Sequence, residues 1–482
     1  MARAVGRTEF IADGITPIAA YACATAARPG PSFLLESAPG PRHTSRYSII
    51  GLGAVGELRA ADREVTLSIG GDVGRFAGED VFAAARSMMS RLAPAVSPAG
   101  VVDRFLGAYG AAAFEFAGYV ERLPRLPRGE DPMPDLHLIV PETIVVFDHF
   151  THTVALLTLS DADGAIRSDA DLRDVLEGAS IGALSRSASA RSTMERSTME
   201  RSTFMVDRPA PHITYLDAVD RAKESIVAGD VFQIVLSQGW SVESQIRPFD
   251  AYRMLRTINP SPYMYYLDFG WGQLLGSSPE VLVRLDGRVA RVRPLAGTKP
   301  RDPDPDEERR TAARLKRDAK ERAEHVMLVD LGRNDLGRAC VAGSVRVTDL
   351  LSVEYYSHVM HLVSEVRGTV RSDRDAFDLF AAAFPAGTVS GAPKIRAMEL
   401  IAELEGRRRG FYAGSVGYFG FDGSMDTCIT LRSAHAYGGR YHVRAGAGIV
   451  ADSIAASEDA ECGAKAGAVL EALGAAGGKA AR

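Results

Sequence analysis

Strand-like segments follow one another along this chain of 482 residues, with few helices between them. Two long stretches, VVDRFLGAYGAAAFEF and LIVPETIVVFDHFTHTVALLTL, are rich in β-branched and aromatic residues and contain turn residues, a pattern typical of consecutive strands. A helix is predicted before them, at Val81 to Leu92. Because strands and helices do not alternate regularly, the sequence predicts an α+β fold and argues against a doubly wound α/β fold.

The second half of the chain continues this pattern with clearer helix boundaries. Thr214 is a suitable N-cap for a helix that ends at Gly229, and VFQIVLSQGWSV follows as a strand. Two further helices are predicted, at Pro305 to Leu331 and at Pro393 to Leu404. Further strands are predicted at Tyr263 to Phe269, Val281 to Leu285, Ser415 to Phe421, Thr427 to Ser433 and Tyr441 to Ala445.

One segment differs in composition from the rest of the chain. Arg186 to Phe204 reads RSASARSTMERSTMERSTF, and its Ser, Arg and Thr residues offer little apolar surface to bury. It is therefore predicted to be a flexible linker or a surface loop. This divides the chain into an N-terminal region (1–185), a linker (186–205) and a C-terminal region (206–482).

The charges of the chain are nearly balanced, with 61 acidic and 56 basic residues and a net charge of −5. This balance argues against a nucleic-acid or anionic-membrane partner, either of which would favour a basic surface. The Ala-rich stretch from Ile11 to Ala27 is interrupted by Asp13 and Pro17, so we expect no export signal. No apolar run is long enough to predict a membrane span.

The four cysteines show neither CxxC spacing nor paired clustering, which argues against a disulfide framework or a structural zinc site. They are Cys23, Cys340, Cys428 and Cys462. We therefore expect reduced thiols and a cytoplasmic location.

Two pairs of glutamates share a spacing of three residues, which places both members of a pair on one helix face. The pairs are Glu321 with Glu324 and Glu458 with Glu461, and Ser457 is positioned as an N-cap for the second helix. Four carboxylates from two helices would suit Mg²⁺. The alternative is that Glu321 pairs with a surface Lys or Arg and that the second pair complements a helix dipole.

Two glycine-rich segments are candidates for ligand contact. FPAGTVSGAPK, from Phe384 to Lys394, is a turn that leads into a helix, and a helix start of this kind favours an anion. In AGAGIVADS, Gly446 and Gly448 would end a strand and let a ligand approach the backbone. An ordinary capped loop and a plain bulge or turn explain the same residues equally well.

A series of motifs in consistent order resembles the chorismate-utilising enzymes, and within them the large subunits of anthranilate synthases (component I). The similarity extends from about Thr214 to Lys465 and is looser before the linker. The motifs are GSSPEVLVR at Gly276, RPLAGTKPR at Arg293, ERAEHVMLVDLGRNDLGR at Glu321, YSHVMHLVS at Tyr356, FPAGTVSGAPKIRAMEL at Phe384, YAGSVGYFGFDGSMDTCITLR at Tyr412 and AGAGIVADS at Ala445.

The resemblance implies a fold of two packed antiparallel sheets surrounded by helices, in which the regions before and after the linker interleave. It also implies a Mg²⁺-dependent lyase of tryptophan biosynthesis that converts chorismate and ammonia to anthranilate and pyruvate. Loss of the poor C4 hydroxyl leaving group calls for a proton donor, and the ring carboxylate calls for a cation.

The same resemblance implies roles for individual residues. Glu280 corresponds to the general acid at the C4 hydroxyl, and His361 to the histidine associated with pyruvate elimination. Glu324 and Glu461 correspond to Mg²⁺ ligands, supported by Glu321 and Glu458. The residues implied in substrate contact are Gln233, Gly297, Thr298, Thr388, Tyr412, Arg432, Gly446, Gly448 and Lys465.

Two positions favour amination at C2 over the reactions of other family members. Isochorismate and salicylate synthases carry a water-activating lysine at the position of Gln233, and a neutral amide cannot act as a base. Aminodeoxychorismate synthases commonly carry a lysine at the position of Ala296, where this chain offers no amine for a covalent route. An aminodeoxychorismate synthase nevertheless stays the leading alternative enzyme.

The chain lacks the GxCxG context of a glutaminase nucleophile, because its cysteines lie in YACAT, GRACV, DTCIT and AECGA. We therefore expect a separate glutamine amidotransferase subunit, corresponding to component II, to supply ammonia. PSFLLESA and NPSPYMYY also resemble the tryptophan site of feedback-regulated relatives. They predict an inhibitor site lined by Glu36, Ser37, Pro262, Tyr263 and Met264.

The C-terminal stretch IAASEDAECGAKA departs from the family pattern, and Gly463 and Gly467 are expected to weaken the helix that carries Glu461. This departure leaves a third alternative open, a catalytically weak protein that binds chorismate or tryptophan.

Overall fold

The computed structural model describes residues 3–11, 14–37, 46–95, 100, 102–124, 133–161, 165–187, 206–207, 213–356 and 359–474. Residues 188–205 of the predicted linker lie outside the described residues, and residues 186 and 187 end a helix.

The described residues form eleven helices. They are α1 (Pro17–Ala27), α2 (Val81–Leu92), α3 (Ala117–Val120), α4 (Ala170–Ser187), α5 (Tyr215–Val227), α6 (Pro248–Ile258), α7 (Pro305–Arg317), α8 (Ala319–Ala339), α9 (Ala376–Ala383), α10 (Lys394–Glu405) and α11 (Ala455–Ala472). Of these helices, none combines the length and the apolarity that a membrane crossing requires.

The strands of the N-terminal region are β1 (Val5–Ile11), β2 (Ser32–Glu36), β3 (Tyr47–Leu52), β4 (Gly56–Ala61), β5 (Glu64–Ile69), β6 (Asp72–Ala77), β7 (Gly107–Ala112), β8 (Leu136–Val140), β9 (Thr143–Asp148) and β10 (Thr153–Leu159). Those of the C-terminal region are β11 (Val206–Asp207), β12 (Gln233–Glu243), β13 (Tyr263–Asp268), β14 (Gln273–Ser278), β15 (Val281–Asp286), β16 (Val289–Val292), β17 (Leu295–Pro300), β18 (Arg346–Tyr355), β19 (Val359–Thr369), β20 (Gly391–Ala392), β21 (Ser415–Gly420), β22 (Met425–Ile429), β23 (Ser433–Tyr437) and β24 (Arg440–Ile449).

Two twelve-stranded sheets combine strands from both regions. The first has the order β1-β10-β9-β3-β2-β13-β14-β23-β24-β12-β11, with β20 paired to β12. The second has the order β17-β19-β16-β15-β22-β21-β7-β8-β4-β5-β6, with β18 paired to β19. The ladders between these described strands are antiparallel, which confirms the α+β fold with two antiparallel sheets.

The apolar core is divided by the alternation of side chains along each strand. Phe33 on β2 points toward the second sheet and stacks on Tyr109 of β7, with ring centroids 4.3 Å apart. Its neighbour Leu34 points away from that sheet, into a cluster with Ile50 and with Tyr252 of α6. Burial of such a side chain contributes about 1.5–3 kcal/mol, so packing between the sheets and packing under the helices both stabilise the fold.

The predicted helix at Pro305 to Leu331 is wrong in its boundaries, because two helices occupy this stretch. Asp318 has an extended backbone (φ −61°, ψ 119°), and its side chain accepts hydrogen bonds from the N–H groups of Lys320 and Glu321. It therefore ends α7 and caps α8, which continues to Ala339. The Thr214 cap is confirmed, since its hydroxyl accepts from the N–H of Asp217.

Three other local predictions are wrong. The predicted strand Thr427 to Ser433 is divided into β22 and β23, because Arg432 adopts a left-handed φ of +48°. Gly446 and Gly448 lie within β24 and do not end it. Ser457 does not cap α11, which begins at Ala455 with no side-chain cap.

Candidate active site

The residues with predicted catalytic and substrate roles come from both sheets and from α11. In the first sheet, Gln233 begins β12, and Gly446 and Gly448 lie on β24. In the second sheet, Gly297 and Thr298 lie on β17 and His361 lies on β19. The other residues lie in connections or on a helix: Glu280 between β14 and β15, Thr388 in a 3₁₀ turn at Gly387–Val389, Tyr412 before β21, Arg432 between β22 and β23, and Lys465 on α11. Direct contacts and electrostatic interactions join these residues into two groups, one around Glu280 and β24 and one around His361. Tyr356 connects the groups, because its ring lies 5.4 Å from that of His361 and its hydroxyl interacts with the charge of Glu280.

Glu280 is a buried carboxyl with a high proton affinity. Glu280 comes two residues after the end of β14, and its backbone carbonyl accepts a hydrogen bond from the N–H of Ile429 at 3.0 Å. Burial raises its pKa to about 8, and the hydroxyl of Thr388 and the charge of Lys465 offset only part of the rise. At neutral pH the carboxyl therefore keeps its proton and can donate it.

His361 and Thr298 face each other across β19 and β17, with Nδ1 of His361 3.0 Å from Oγ1 of Thr298. Gly297 precedes Thr298 with a φ of +62°, at the point where the register between the two strands shifts. Burial lowers the pKa of His361 to about 4, the charge of Arg432 adds to the decrease, and a backbone hydrogen bond with Gly297 opposes it. The imidazole is therefore neutral at neutral pH and can accept a proton.

Arg432 lies at the break between β22 and β23, where its left-handed φ gives the side chain a different direction from the one it would have in a continuous strand. Its guanidinium contacts Oδ1 of Asn259 at 3.4 Å. Within the described residues it has no carboxylate partner, and burial lowers its pKa. A partly buried guanidinium of this kind is suited to bind a ligand carboxylate with two parallel hydrogen bonds.

Gly446 and Gly448 keep the surface of β24 free of side chains. A Cβ atom at Gly446 would lie 2.6 Å from the hydroxyl of Tyr412, and one at Gly448 would lie 2.6 Å from Nε2 of Gln233. Lys465 reaches the same strand from α11, because its Nζ donates to the carbonyl of Gly446 at 3.1 Å. These five predicted substrate residues are therefore brought together at one surface.

Three of the four predicted metal-binding carboxylates interact through their charges. Burial raises the pKa of Glu324, and the charges of Glu321 on the same helix and Glu461 on α11 raise it further. Glu458 lies one turn before Glu461, where its charge acts on the hydroxyl of Tyr215. The helix α11 runs without a break through Gly463 and Gly467, so these glycines do not prevent the two helices from presenting their acids.

Lysines neutralise part of this acidic group. Nζ of Lys299 lies 3.6 Å from Oε1 of Glu321, and Nζ of Lys465 lies 2.6 Å from Oε1 of Glu461. Among the described residues no three acidic, histidine or cysteine side chains converge closely enough to hold a metal ion. The donor set nevertheless fits Mg²⁺, because all its ligands are oxygens, their charges repel one another, and Mg²⁺ keeps several waters when it binds.

All five predicted inhibitor residues line a single cavity of about 240 Å³ between the two sheets. Ser37 has a buried hydroxyl without a hydrogen-bond partner. Glu36 is already engaged, because its carboxylate accepts from the hydroxyl of Tyr252 at 2.7 Å and pairs with Arg256 at 3.0 Å. The cavity therefore offers a free hydroxyl, whereas the Glu36 carboxylate is held by protein groups.

The second sheet contributes a wall of this cavity that no sequence motif predicts. Asp426 on β22 accepts a hydrogen bond from the hydroxyl of Tyr263 at 2.9 Å and lies 3.6 Å from Arg284 of β15. Both Asp426 and Arg284 line the cavity. The sequence around Asp426 and Arg284 shows only the alternation of a short strand, which does not indicate that these residues line a cavity. Only the packing of the two sheets brings them beside Tyr263.

Comparisons with known proteins agree on one family. The family described as chorismate binding enzyme matches residues 30–471. Component 1 of the anthranilate synthase of Thermus thermophilus is 44% identical over 475 residues, covering 97% of this chain and 97% of that protein. Its counterpart from Streptomyces coelicolor is 43% identical, covering 96% of this chain and 88% of that protein.

Solved structures show the same similarity. Component I of the anthranilate synthase of Streptococcus pneumoniae superposes with a TM-score of 0.72 at 35% identity, covering 95% of this chain and 98% of that one. A menaquinone-specific isochorismate synthase of Escherichia coli shares the fold, with a TM-score of 0.69 at 19% identity over 98% of this chain and 95% of that one.

Proposed function

The chain belongs to the chorismate-binding enzymes, in the group of anthranilate synthase component I, and we propose that it converts chorismate and ammonia to anthranilate and pyruvate. The observation that carries this proposal is the protonated Glu280 beside Thr388 and Lys465. The site also holds the neutral His361 and Arg432, which has no carboxylate partner among the described residues. The protein would then work in tryptophan biosynthesis.

Amination would require an acid at the leaving hydroxyl. Ammonia attacks C2 of the ring, the ring double bonds shift, and the C4 hydroxyl leaves as water with the proton of Glu280. The incoming ammonium group loses one proton, so that chorismate and ammonia give an aminated ring and water. Arg432 would hold a substrate carboxylate, and the side-chain-free surface at Gly446 and Gly448 would let the ring lie close to β24.

Elimination of pyruvate would require a base. The proton on C2 is removed, the bond between the ring and the enolpyruvyl oxygen breaks, and the enolpyruvyl group gains a proton to become pyruvate, which leaves an aromatic ring. A neutral His361, oriented by the hydroxyl of Thr298, is suited to take the C2 proton. Glu324, Glu461, Glu321 and Glu458 would hold Mg²⁺, which would withdraw electron density from the ring carboxylate when bound.

Gln233 and Ala296 support ammonia as the nucleophile. Gln233 is buried with its amide beside Gly448, where it cannot act as a base toward water. Ala296 is buried on β17 and offers no amine for covalent attachment of the substrate.

Product identification tests the proposed function directly. With chorismate, Mg²⁺ and ammonium, the purified chain is expected to form anthranilate and pyruvate in equal amounts, measured by anthranilate fluorescence and a coupled pyruvate assay. Amination without pyruvate release would instead identify an aminodeoxychorismate synthase. Binding of chorismate without any turnover would identify a catalytically weak binding protein.

We further propose that a glutamine amidotransferase subunit supplies the ammonia. The name component 1 of the relatives supports a partner component. Three of the four thiols, those of Cys340, Cys428 and Cys462, are buried, and burial raises their pKa, which is the opposite of what a glutaminase nucleophile needs. The four unpaired thiols also support the proposed cytoplasmic location.

The nitrogen source of the isolated chain tests this partner. We expect ammonium to support turnover and glutamine to give no anthranilate above background, because no cysteine lies in a glutaminase motif and burial raises the pKa of three of the four thiols. Addition of a family glutaminase subunit provides the matched comparison, since it should make glutamine effective. If glutamine supported the isolated chain as well as ammonium does, the partner would be unnecessary and the proposal wrong.

The cavity between the sheets is proposed to bind tryptophan as a feedback inhibitor. Leu35, Tyr47 and Tyr265 give it apolar and aromatic walls, and Ser37 gives it a free hydroxyl. These features would suit an indole ring with a polar end. The cavity is separate from the residues assigned to chorismate, so an occupant would act at a distance.

Substitution of Ser37 tests this inhibitor site. The Ser37→Leu variant fills the cavity and removes its free hydroxyl. The concentration of tryptophan needed for inhibition should therefore rise by more than about tenfold, which corresponds to the loss of one contact of about 1.4 kcal/mol. The rate of turnover without tryptophan should change much less. Ser68→Leu on β5 is the control and should stay sensitive. Calorimetric titration of the unmodified chain with no binding at micromolar tryptophan would contradict the proposal.

A further inference from the structure

Arg409 is a fully buried arginine at a point where three parts of the candidate site meet. It follows α10, and its side chain is about 1% exposed.

Arg409 binds two backbone carbonyls that belong to substrate-bearing segments. Its Nη1 donates to the carbonyl of Val389 at 2.7 Å, directly after Thr388. Its Nη2 donates to the carbonyl of Val235 at 2.6 Å, two residues after Gln233 on β12. Its Cζ also lies 5.9 Å from the ring centre of Tyr412. One guanidinium thus contacts the 3₁₀ turn, the strand and the tyrosine that surround the substrate surface.

The carboxylate of Glu405, one helical turn earlier, pairs with both Arg409 and Arg444, at 2.6 and 2.7 Å. Glu405 accepts from Nε of Arg409 at 3.0 Å and from Nη2 at 2.6 Å, and it also accepts from the N–H and the hydroxyl of Ser237 at 2.8 and 2.9 Å. Ser237 lies directly opposite Gly446 in the register of β12 and β24. The carboxylate therefore joins Arg409 to the strand pair that forms the substrate surface.

A second carboxylate fixes the backbone of Arg409. Oε1 of Glu115, from the N-terminal region, accepts from the N–H of Arg409 at 2.7 Å. The guanidinium also lies over the ring of Phe114, 4.5 Å from its centre. Because the backbone, the ring and Glu405 all restrict it, Arg409 has few alternative positions.

We propose that Arg409 is a positioning residue for the chorismate reaction. It holds Thr388 and Gln233 in place through the carbonyls of Val389 and Val235, and it contacts the ring of Tyr412. The inference rests on the proposed function. An ammonium group is a point donor and cannot reach both carbonyls and Glu405 together, whereas the planar guanidinium does so with its fork of donors. A shift of about 1 Å in substrate-contacting groups can cost on the order of 100-fold in rate.

The test is a double-variant comparison of Arg409→Lys and Thr388→Val, with kcat and KM measured separately for anthranilate formation. Arg409→Lys keeps the charge beside Glu405 and is expected to lower kcat by about 100-fold. Because it would act through Thr388, the double variant should be no more than about threefold slower than the slower single variant. If Arg409 were purely structural, the fold-loss in kcat of the double variant would equal the product of the losses of the two single variants.

Arg28→Lys is the matched control. Arg28 is equally buried and multiply bonded, since its guanidinium donates to Thr143, to the carbonyl of Ser168 and to Asp169 and Asp171, far from the site. It should lower the melting temperature with kcat unchanged. If Arg409→Lys likewise lowered only the melting temperature, the positioning role would be overturned.

Glu405→Gln serves if Arg409→Lys does not fold. It keeps the size of the side chain and one acceptor oxygen, but it weakens the hold on Arg409, and it should show the same coupling to Thr388→Val. Additive losses for this variant would overturn the proposal. If the unmodified chain formed a product other than anthranilate, the proposed function would fail, and the coupling would be measured for that reaction.

Discussion

The Glu280→Gln variant is expected to form anthranilate about 10²–10⁴-fold more slowly than the unmodified chain while it still binds chorismate. The amide has the shape of the carboxyl but has no acidic proton to give to the leaving hydroxyl. Steady-state kcat with ammonium and a separate binding titration check this result. Glu403→Gln, on the exposed face of α10, is the control and should leave turnover unchanged.

The pH dependence provides a second check on Glu280. Burial raises its pKa to about 8, so the acid form is present below that pH and is lost as the pH rises through it. At a constant concentration of free ammonia, the rate of amination should therefore fall above pH 8, and this alkaline limb should be missing from the residual activity of Glu280→Gln. A limb that persists in the variant would assign the proton donor to another group.

The identity of Glu280 follows from the SSPE motif, but its proton affinity does not. The motif and its resemblance place the glutamate at the site, whereas the raised pKa depends on burial between strands that are distant in sequence and on Thr388 and Lys465. Burial of this kind is a property of the packed sheets, so no local pattern reports it.

The break at Arg432 shows a similar limit. Thr427 to Ser433 has the composition of one continuous strand, and only the left-handed φ of Arg432 divides it. By contrast, the break at Asp318 had a local signal, because an aspartate three residues before Glu321 matches the capping-box pattern. The apolar periodicity continues on both sides of Asp318, and it therefore predicts a single helix from Pro305 to Leu331.

Arg409 could not be identified from the sequence at all. The carbonyls that it binds belong to residues 20 and 174 positions away along the chain. An arginine run such as RRRG indicates a charged surface by composition, yet the third arginine is buried and paired. Sequence patterns therefore identify which motifs form the site, and tertiary packing determines which other residues hold them.

Loss of a carboxylate from the acidic group should have the largest effect on the metal dependence. Glu461 lies on a different helix from Glu324, and its charge contributes to the increased pKa of Glu324. A divalent cation between the helices would relieve this repulsion. We therefore propose that Glu461 is one of the residues that hold Mg²⁺ in the active enzyme.

The Glu461→Gln variant is accordingly expected to form almost no anthranilate at the Mg²⁺ concentration that saturates the unmodified chain, since a neutral amide oxygen binds Mg²⁺ much more weakly than a carboxylate. The change also removes the 2.6 Å pair with Lys465, so a loss of rate alone would not separate the two roles. A Mg²⁺ titration separates them: a metal ligand shifts the saturation midpoint upward, whereas a residue that only pairs with Lys465 leaves it unchanged. Glu471→Gln, on an exposed position of the same helix, should behave as the unmodified chain.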